Sequence, residues 1–189
     1  MAKKYTSEDF KSLRKIWRPF HRTVGDLFEN NLSSSYKLVK DAACGGNQNI
    51  PLFCSKEKSN ATEYCNVDLL VIKDGTIRII VEIDASDVRP TKLCGKFLTS
   101  ALTQYYINES ENDIPIGMHD SVIFIQILDT SKLKDETSKF KQWKNLQKSI
   151  EDILPVKGSR IKEYKIFYGD ESYFEKNQSN ELVSYIKEL

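Results

Sequence analysis

Asp68, Glu82 and Asp84 are three acids set among Val, Leu and Ile in the stretch NVDLLVIKDGTIRIIVEID, residues 66–84. A carboxylate without partners in a low-dielectric interior is costly. A cation is one way to offset that cost for acids in a buried strand pair. Two converging carboxylates can share a hard divalent ion such as Mg2+, which prefers oxygen ligands. Such a centre activates a bound water and polarises a phosphoryl oxygen.

The element that must position these acids is a β-hairpin. Lys73-Asp74-Gly75 suits a three-residue loop, a type I turn closed by a left-handed Gly. In that register Ile72 opposes Thr76 and Asp68 opposes Ile80. One face then carries Val67, Leu69, Val71, Ile77, Ile79, Val81 and Ile83. The other carries Asp68, Leu70, Ile72, Arg78, Ile80, Glu82 and Asp84. A two-residue Asp-Gly loop shifts the register by one and sends Asp68 to the face opposite Glu82. Register follows the face that must be buried, which selects the three-residue loop. Asp68 and Glu82 then lie diagonally across the pair, about 7–8 Å apart at the backbone.

Asp68, a hairpin and then Glu82-Ile83-Asp84 resembles the PD-(D/E)xK nuclease motif. Restriction endonucleases, Holliday-junction resolvases and RecB-like exonucleases share that motif. The family pattern is Asp on one strand and Glu-x-Lys on the next, followed by a helix. Here Val67 stands at the motif's proline and Asp84 at its lysine. The resemblance implies an α/β fold with a restriction-endonuclease-like core, a central mixed β-sheet flanked by helices. It also implies metal-dependent hydrolysis of phosphodiester bonds in double-stranded DNA.

In that reading Mg2+ is held by Asp68, Glu82 and the backbone carbonyl of Ile83. Asp84 binds a second ion or orients the water. Lys96, one turn into the following helix, is the candidate for the displaced lysine, with Lys92 second. Glu29, in the G-x-x-x-E of residues 25–29, matches a Glu that the first helix presents to the metal. Gln104 matches a Gln sent into the site by the helix after the catalytic strand. Some restriction enzymes of the family carry an acid at the lysine position and still cut DNA, and restriction enzymes vary most there, so the expected activity is that of a sequence-specific type II restriction enzyme. Cutting both strands of a palindromic site implies a homodimer. The alternatives are a repair or recombination nuclease of Holliday-junction or flap type, and a catalytically inactive nuclease-fold protein that binds DNA.

Bringing a phosphodiester to so acidic a centre needs basic surroundings. Arg89 and Lys92 lie beside it in sequence. The N-terminal Lys3, Lys4, Lys11, Arg14, Lys15, Arg18 and Arg22 form one further basic group. Lys139, Lys141, Lys144 and Lys148 form another on a helix face. The net charge of +1 excludes a global basic footprint but not a basic cleft.

The length of 189 residues predicts one domain, with the nuclease-like core over about residues 20–170. No apolar run approaches the ~20 residues of a membrane span. The start, MAKKYTSEDF, is neither a signal peptide nor a lipidation motif, so the expected compartment is the cytoplasm. Cys44, Cys54, Cys65 and Cys94 form no C-x-x-C pair, which argues against zinc and reads as reduced thiols.

Around the hairpin, an apolar stripe predicts a first helix over 7–32, with Pro19 as a possible kink. A short strand follows at 36–39. Residues 44–63 read as a long loop with an extended piece at 50–54. Pro90 leads into a helix over 91–107, on which Lys92, Lys96, Ser100 and Gln104 fall in one row. Residues 108–119 read as turns and 120–128 as a buried strand. A helix over 138–154 turns Phe140, Trp143, Leu146, Ile150, Ile153 and Leu154 inward. A strand at 160–168 and a helix over 180–189 complete the chain.

Overall fold

A computed structural model describes residues 19–85, 88–133, 138–176 and 181–188. The elements run α1 (Pro19–Asn31), β1 (Lys37–Lys40), β2 (Pro51–Phe53), β3 (Glu63–Asn66), β4 (Leu69–Lys73) and β5 (Thr76–Asp84). Then come α2 (Pro90–Ala101), β6 (Tyr105–Tyr106), a single 3-10 turn (Glu109–Glu111) and β7 (Ile116–Asp129). The last are α3 (Lys139–Ile153), β8 (Ile161–Gly169), α4 (Glu171–Lys176) and α5 (Glu181–Glu188).

The strands form one mixed eight-stranded sheet. β1, β4 and β5 pair antiparallel in that order, and β5 then pairs parallel to β7. β8 lies parallel along the C-terminal part of β7 from Val122 onward. The first residues of β7 pair instead with β6, and a small arm continues through β2 to β3. The chain passes from β3 to β4 through Val67 and Asp68. Asp68 therefore sits where the arm joins the main sheet.

Both faces of the sheet are buried, as parallel pairs require. One apolar cluster joins Leu70, Ile72, Ile80, Phe124 and Tyr164 to Leu93 and Phe97 of α2 and Trp143 and Ile150 of α3. The other joins Leu69, Val71, Ile79, Val81 and Ile83 to Phe20, Val24 and Phe28 of α1, Phe174 of α4 and Leu182 and Ile186 of α5. The result is a sheet between two helical layers.

Several expectations are corrected. The hairpin turn is the two-residue Asp74-Gly75, with Lys73 opposite Thr76 and positive φ at both turn residues (52° and 70°). That is the mirror-image turn favoured by Asp-Gly because it matches strand twist. A bulge between Val71 and Ile72 then restores the face: Ile72 opposes Ile77, Val71 opposes Ile79 and Leu70 opposes Ile80. The extra residue moves Ile77 onto the α2 face, with Leu70 and Ile72. Asp68 lies just before β4, and its N–H donates to the Val81 carbonyl at 3.2 Å.

β2 falls on the extended piece expected at 50–54, whereas the rest of the expected loop leads into β3, a strand that was not anticipated. The helix expected to reach residue 107 ends at Ala101, so Gln104 leaves the lysine row. Ile153, expected inward, is 61% exposed at the end of α3. α4 was not anticipated, and β7 begins four residues earlier than the apolar run. Residues 7–18 of the expected first helix lie outside the described residues, and with them Lys11, Arg14, Lys15 and Arg18, as do Lys3 and Lys4. Among the described residues, no helix is long and apolar enough to cross a membrane.

Candidate active site

The three acids meet at the C-terminal end of β5, on the face covered by α2. All are buried, with Asp68 at 9%, Glu82 at 3% and Asp84 at 1% exposure. Asp68 Oδ2 accepts the backbone N–H of Ile83 at 2.6 Å, which fixes its carboxylate against β5. Alternation along β5 turns Glu82 and Asp84 to that same side.

α2 supplies the counter-charge. Pro90 occupies its first turn, where a missing N–H costs nothing. Leu93, Phe97 and Ala101 pack onto the sheet, and this seating brings Lys92 and Lys96 over the acids. Lys96 Nζ lies 2.7 Å from Glu82 Oε2 and 3.1 Å from Asp84 Oδ1. Lys92 Nζ lies 2.9 Å from the same Asp84 oxygen. The lysine contact with Glu82 is an aligned hydrogen bond. Neither oxygen of Asp84 meets hydrogen-bond geometry, so its contacts are ion pairs only.

The electrostatics follow from this packing. Burial, then the neighbouring Asp68 charge, push the Glu82 carboxyl up to about 8 against the opposing pull of Lys96. Burial by itself would lower Lys96; Glu82, Asp84 and Asp68 outweigh it and hold the ammonium above its usual range. The Asp68 charge and burial thus oppose ionisation of Glu82 even with the Lys96 ammonium in place.

The donors at Asp68 and Glu82 are hard carboxylate oxygens, and the Asp68 charge disfavours the ionised form of Glu82. A divalent ion relieves that repulsion, so the pair fits one. Among the described residues, no three His, Cys, Asp or Glu side chains converge to hold a metal. Asp84 does not complete a three-carboxylate set with the pair.

The remaining candidates are placed as follows. Glu29 lies at the surface, where its carboxylate takes Lys40 Nζ at 2.6 Å. The Gly25 before it does serve close packing: a Cβ there would lie 2.3 Å from the Cys44 carbonyl oxygen. Gln104 donates to the Gly158 carbonyl at 3.1 Å, away from the acids. Arg89 is exposed at the N-cap of α2, beside the site. Lys141 and Lys144 are exposed on α3, and Lys139 reaches Gln142 at 3.5 Å. Arg22 is bound to Asp26 at 3.0 Å.

Two residues at the site were not anticipated. Gln126 is fully buried on β7, level with Glu82. Its Nε2 donates to the Leu93 carbonyl of α2 at 3.4 Å, and its Oε1 accepts the Tyr164 hydroxyl. A lone Gln inside the run VIFIQIL was the available signal, because polar side chains in such strands are buried only when bonded. Asp41 follows β1, and its N–H donates to the Asp68 carbonyl at 3.0 Å. Burial raises its carboxyl above the usual value, against its bond from the Cys44 N–H at 2.8 Å, and Asp68 adds to the rise. An Asp followed by small residues gave only a turn signal.

No protein-family model, curated protein or solved structure matches the chain.

Proposed function

We propose that the chain is a Mg2+-dependent endodeoxyribonuclease built on a restriction-endonuclease-like core, most like a type II restriction enzyme. The observation that carries this reading is the placement of Asp68 beside Glu82 across the β4–β5 hairpin, with a lysine ammonium 2.7 Å from Glu82. The order of a hairpin, a helix and a parallel strand after the acids supports it as well.

Asp68, Glu82 and the Ile83 carbonyl would hold the metal, which when bound supplies an acidified water and polarises a phosphoryl oxygen. The burial of the two acids keeps competing water out and strengthens every charge contact. Lys96 brings a positive charge to the side of Glu82, where it can meet negative charge growing on the phosphate. Arg89 at the start of α2 and the exposed lysines of α3 are the groups available to track the DNA backbone. Cutting of both strands would be shared between two copies as a homodimer.

The test is incubation of the purified protein with plasmid DNA and Mg2+. Discrete fragments are expected for a restriction enzyme, and Asp68→Asn and Glu82→Gln should abolish them. Nicking confined to junction or flap DNA would move the reading to repair or recombination. A second reading, a nuclease fold that binds DNA without cutting, is favoured by the contact of both Lys92 and Lys96 with Asp84. No cleavage with any divalent ion, together with retained DNA binding, would select it.

A further inference from the structure

We infer that Asp84 is a positioning residue that clamps the α2 lysines, and that it is not a metal ligand. The inference rests on the nuclease reading for what Lys96 then does. It contradicts the expectation that Asp84 binds a second ion or orients the water.

Asp84 Oδ1 faces two ammonium groups, Lys92 at 2.9 Å and Lys96 at 3.1 Å, and its side chain has no exposed surface. Such a carboxylate is stable only because those cations are there. Meanwhile Lys96 reaches past Asp84 to Glu82. Its side chain is still 26% exposed, unlike the acids that it meets. Lys92 and Lys96 sit one turn apart on α2. One buried acid therefore fixes the rotation of the helix and the place of Lys96 over Glu82. An acid thus stands on β5 where the family pattern has its lysine, and the lysine comes from α2.

The geometry gives two independent readouts. The first is Mn2+ affinity by calorimetry, without DNA, for wild type, Asp84→Asn, Asp68→Asn and Glu82→Gln. Asp84→Asn should stay within about threefold of wild type, while the other two lose about tenfold or more, the lower range for losing an ordering contact at a metal site. The second is a double-mutant cycle for folding stability with Asp84→Asn and Lys96→Met, both close in shape to the native side chains. Each single variant breaks the buried Asp84–Lys96 ion pair and should raise the unfolding constant about 10²–10³-fold. The double variant should recover most of that loss. In single-turnover cleavage at saturating Mg2+, Asp84→Asn should fall about a hundredfold, with Asp84→Glu partly restoring it.

If Asp84→Asn loses Mn2+ affinity as Asp68→Asn does, Asp84 is a ligand and the inference is overturned. Simple addition of the two single losses in the cycle would overturn it too. Should Asp84→Asn fail to fold, Lys92→Met/Lys96→Met decides in its place. That variant should leave Mn2+ affinity unchanged or raised if the lysines are Asp84's partners, and a lowered affinity counts against the clamp. If wild type cuts no DNA, the nuclease reading falls, while the affinity and the cycle still decide what Asp84 does.

Discussion

The carboxylate of Asp68 bonds across the hairpin to the backbone N–H of Ile83, at 2.6 Å, between the two acids of β5. One bond thus ties the strand that carries the first acid to the backbone of the strand that carries the other two. It brings the Asp68 charge to the edge of Glu82, and that charge helps raise Glu82.

Asp68→Asn should keep this bond, since the amide oxygen still accepts, while removing the charge. The fold is expected to survive and the Glu82 carboxyl should titrate lower than in wild type. Side-chain carboxyl NMR across pH checks it. An unmoved Glu82 titration would mean that Asp68 does not act on it.

Stability should fall with rising pH on account of Glu82. The group titrates near 4.5 when unperturbed and is pushed up to about 8 in the fold. The folded chain therefore binds this proton more tightly than the unfolded chain. The stability it contributes is fully present below about 4.5 and is lost as pH rises through about 8. Glu82→Gln has no such proton to lose. Urea denaturation at intervals from acid to alkaline pH should show wild type losing ground to Glu82→Gln across that window, and parallel curves would refute it.

Lys96→Met should lower single-turnover cleavage about 10²–10³-fold, through loss of a charge used in the transition state. It should also destabilise the fold, by about 3–5 kcal/mol, because it leaves buried carboxylates short of a cation. Asp84→Lys would set a third ammonium beside Lys92 and Lys96, so it should be destabilised and no more active than wild type. A Lys96→Met protein that cuts at the wild-type rate would remove Lys96 from the chemistry. An Asp84→Lys protein that cuts faster would show that a strand lysine is still usable here.

Two helical glycines should respond with opposite sign. Gly95→Ala in α2 meets nothing within 4 Å and gains helix propensity, so it should stabilise by about 0.5–1 kcal/mol. In α1, Gly25→Ala drives a Cβ to 2.3 Å from the Cys44 carbonyl oxygen, a backbone atom with little room to move. A loss of about 1–3 kcal/mol is expected. Thermal melts of the two variants compare them directly, and equal shifts would mean that α1 does not pack against Cys44 as described.

The acids on one face of a hairpin, the buried strand after them and the helices that cover them were readable from residue type and period. Asp68, Glu82 and Asp84 stood out because acids in apolar strands are costly, and Lys96 because it lies one turn into the next helix. The turn was misread, yet Asp68 still shares its face with Glu82. A two-residue turn plus one bulged residue has the same parity as a three-residue loop, and parity is all that alternation reports. The bulge itself left no mark in the sequence, since apolar residues flank it on both sides.

Contacts between distant segments decided the rest. Glu29 went to Lys40 and Gln104 to Gly158, because the end of α2 at Ala101 and the packing of α1 set their directions. Gln126 joined the site only through the register of β7 on β5. Residue types and spacing determined which groups in this protein must be buried as acids. The tertiary structure decided which cations meet them, because ion pairing falls off within a few ångströms and only the seating of α2 on the sheet sets those distances.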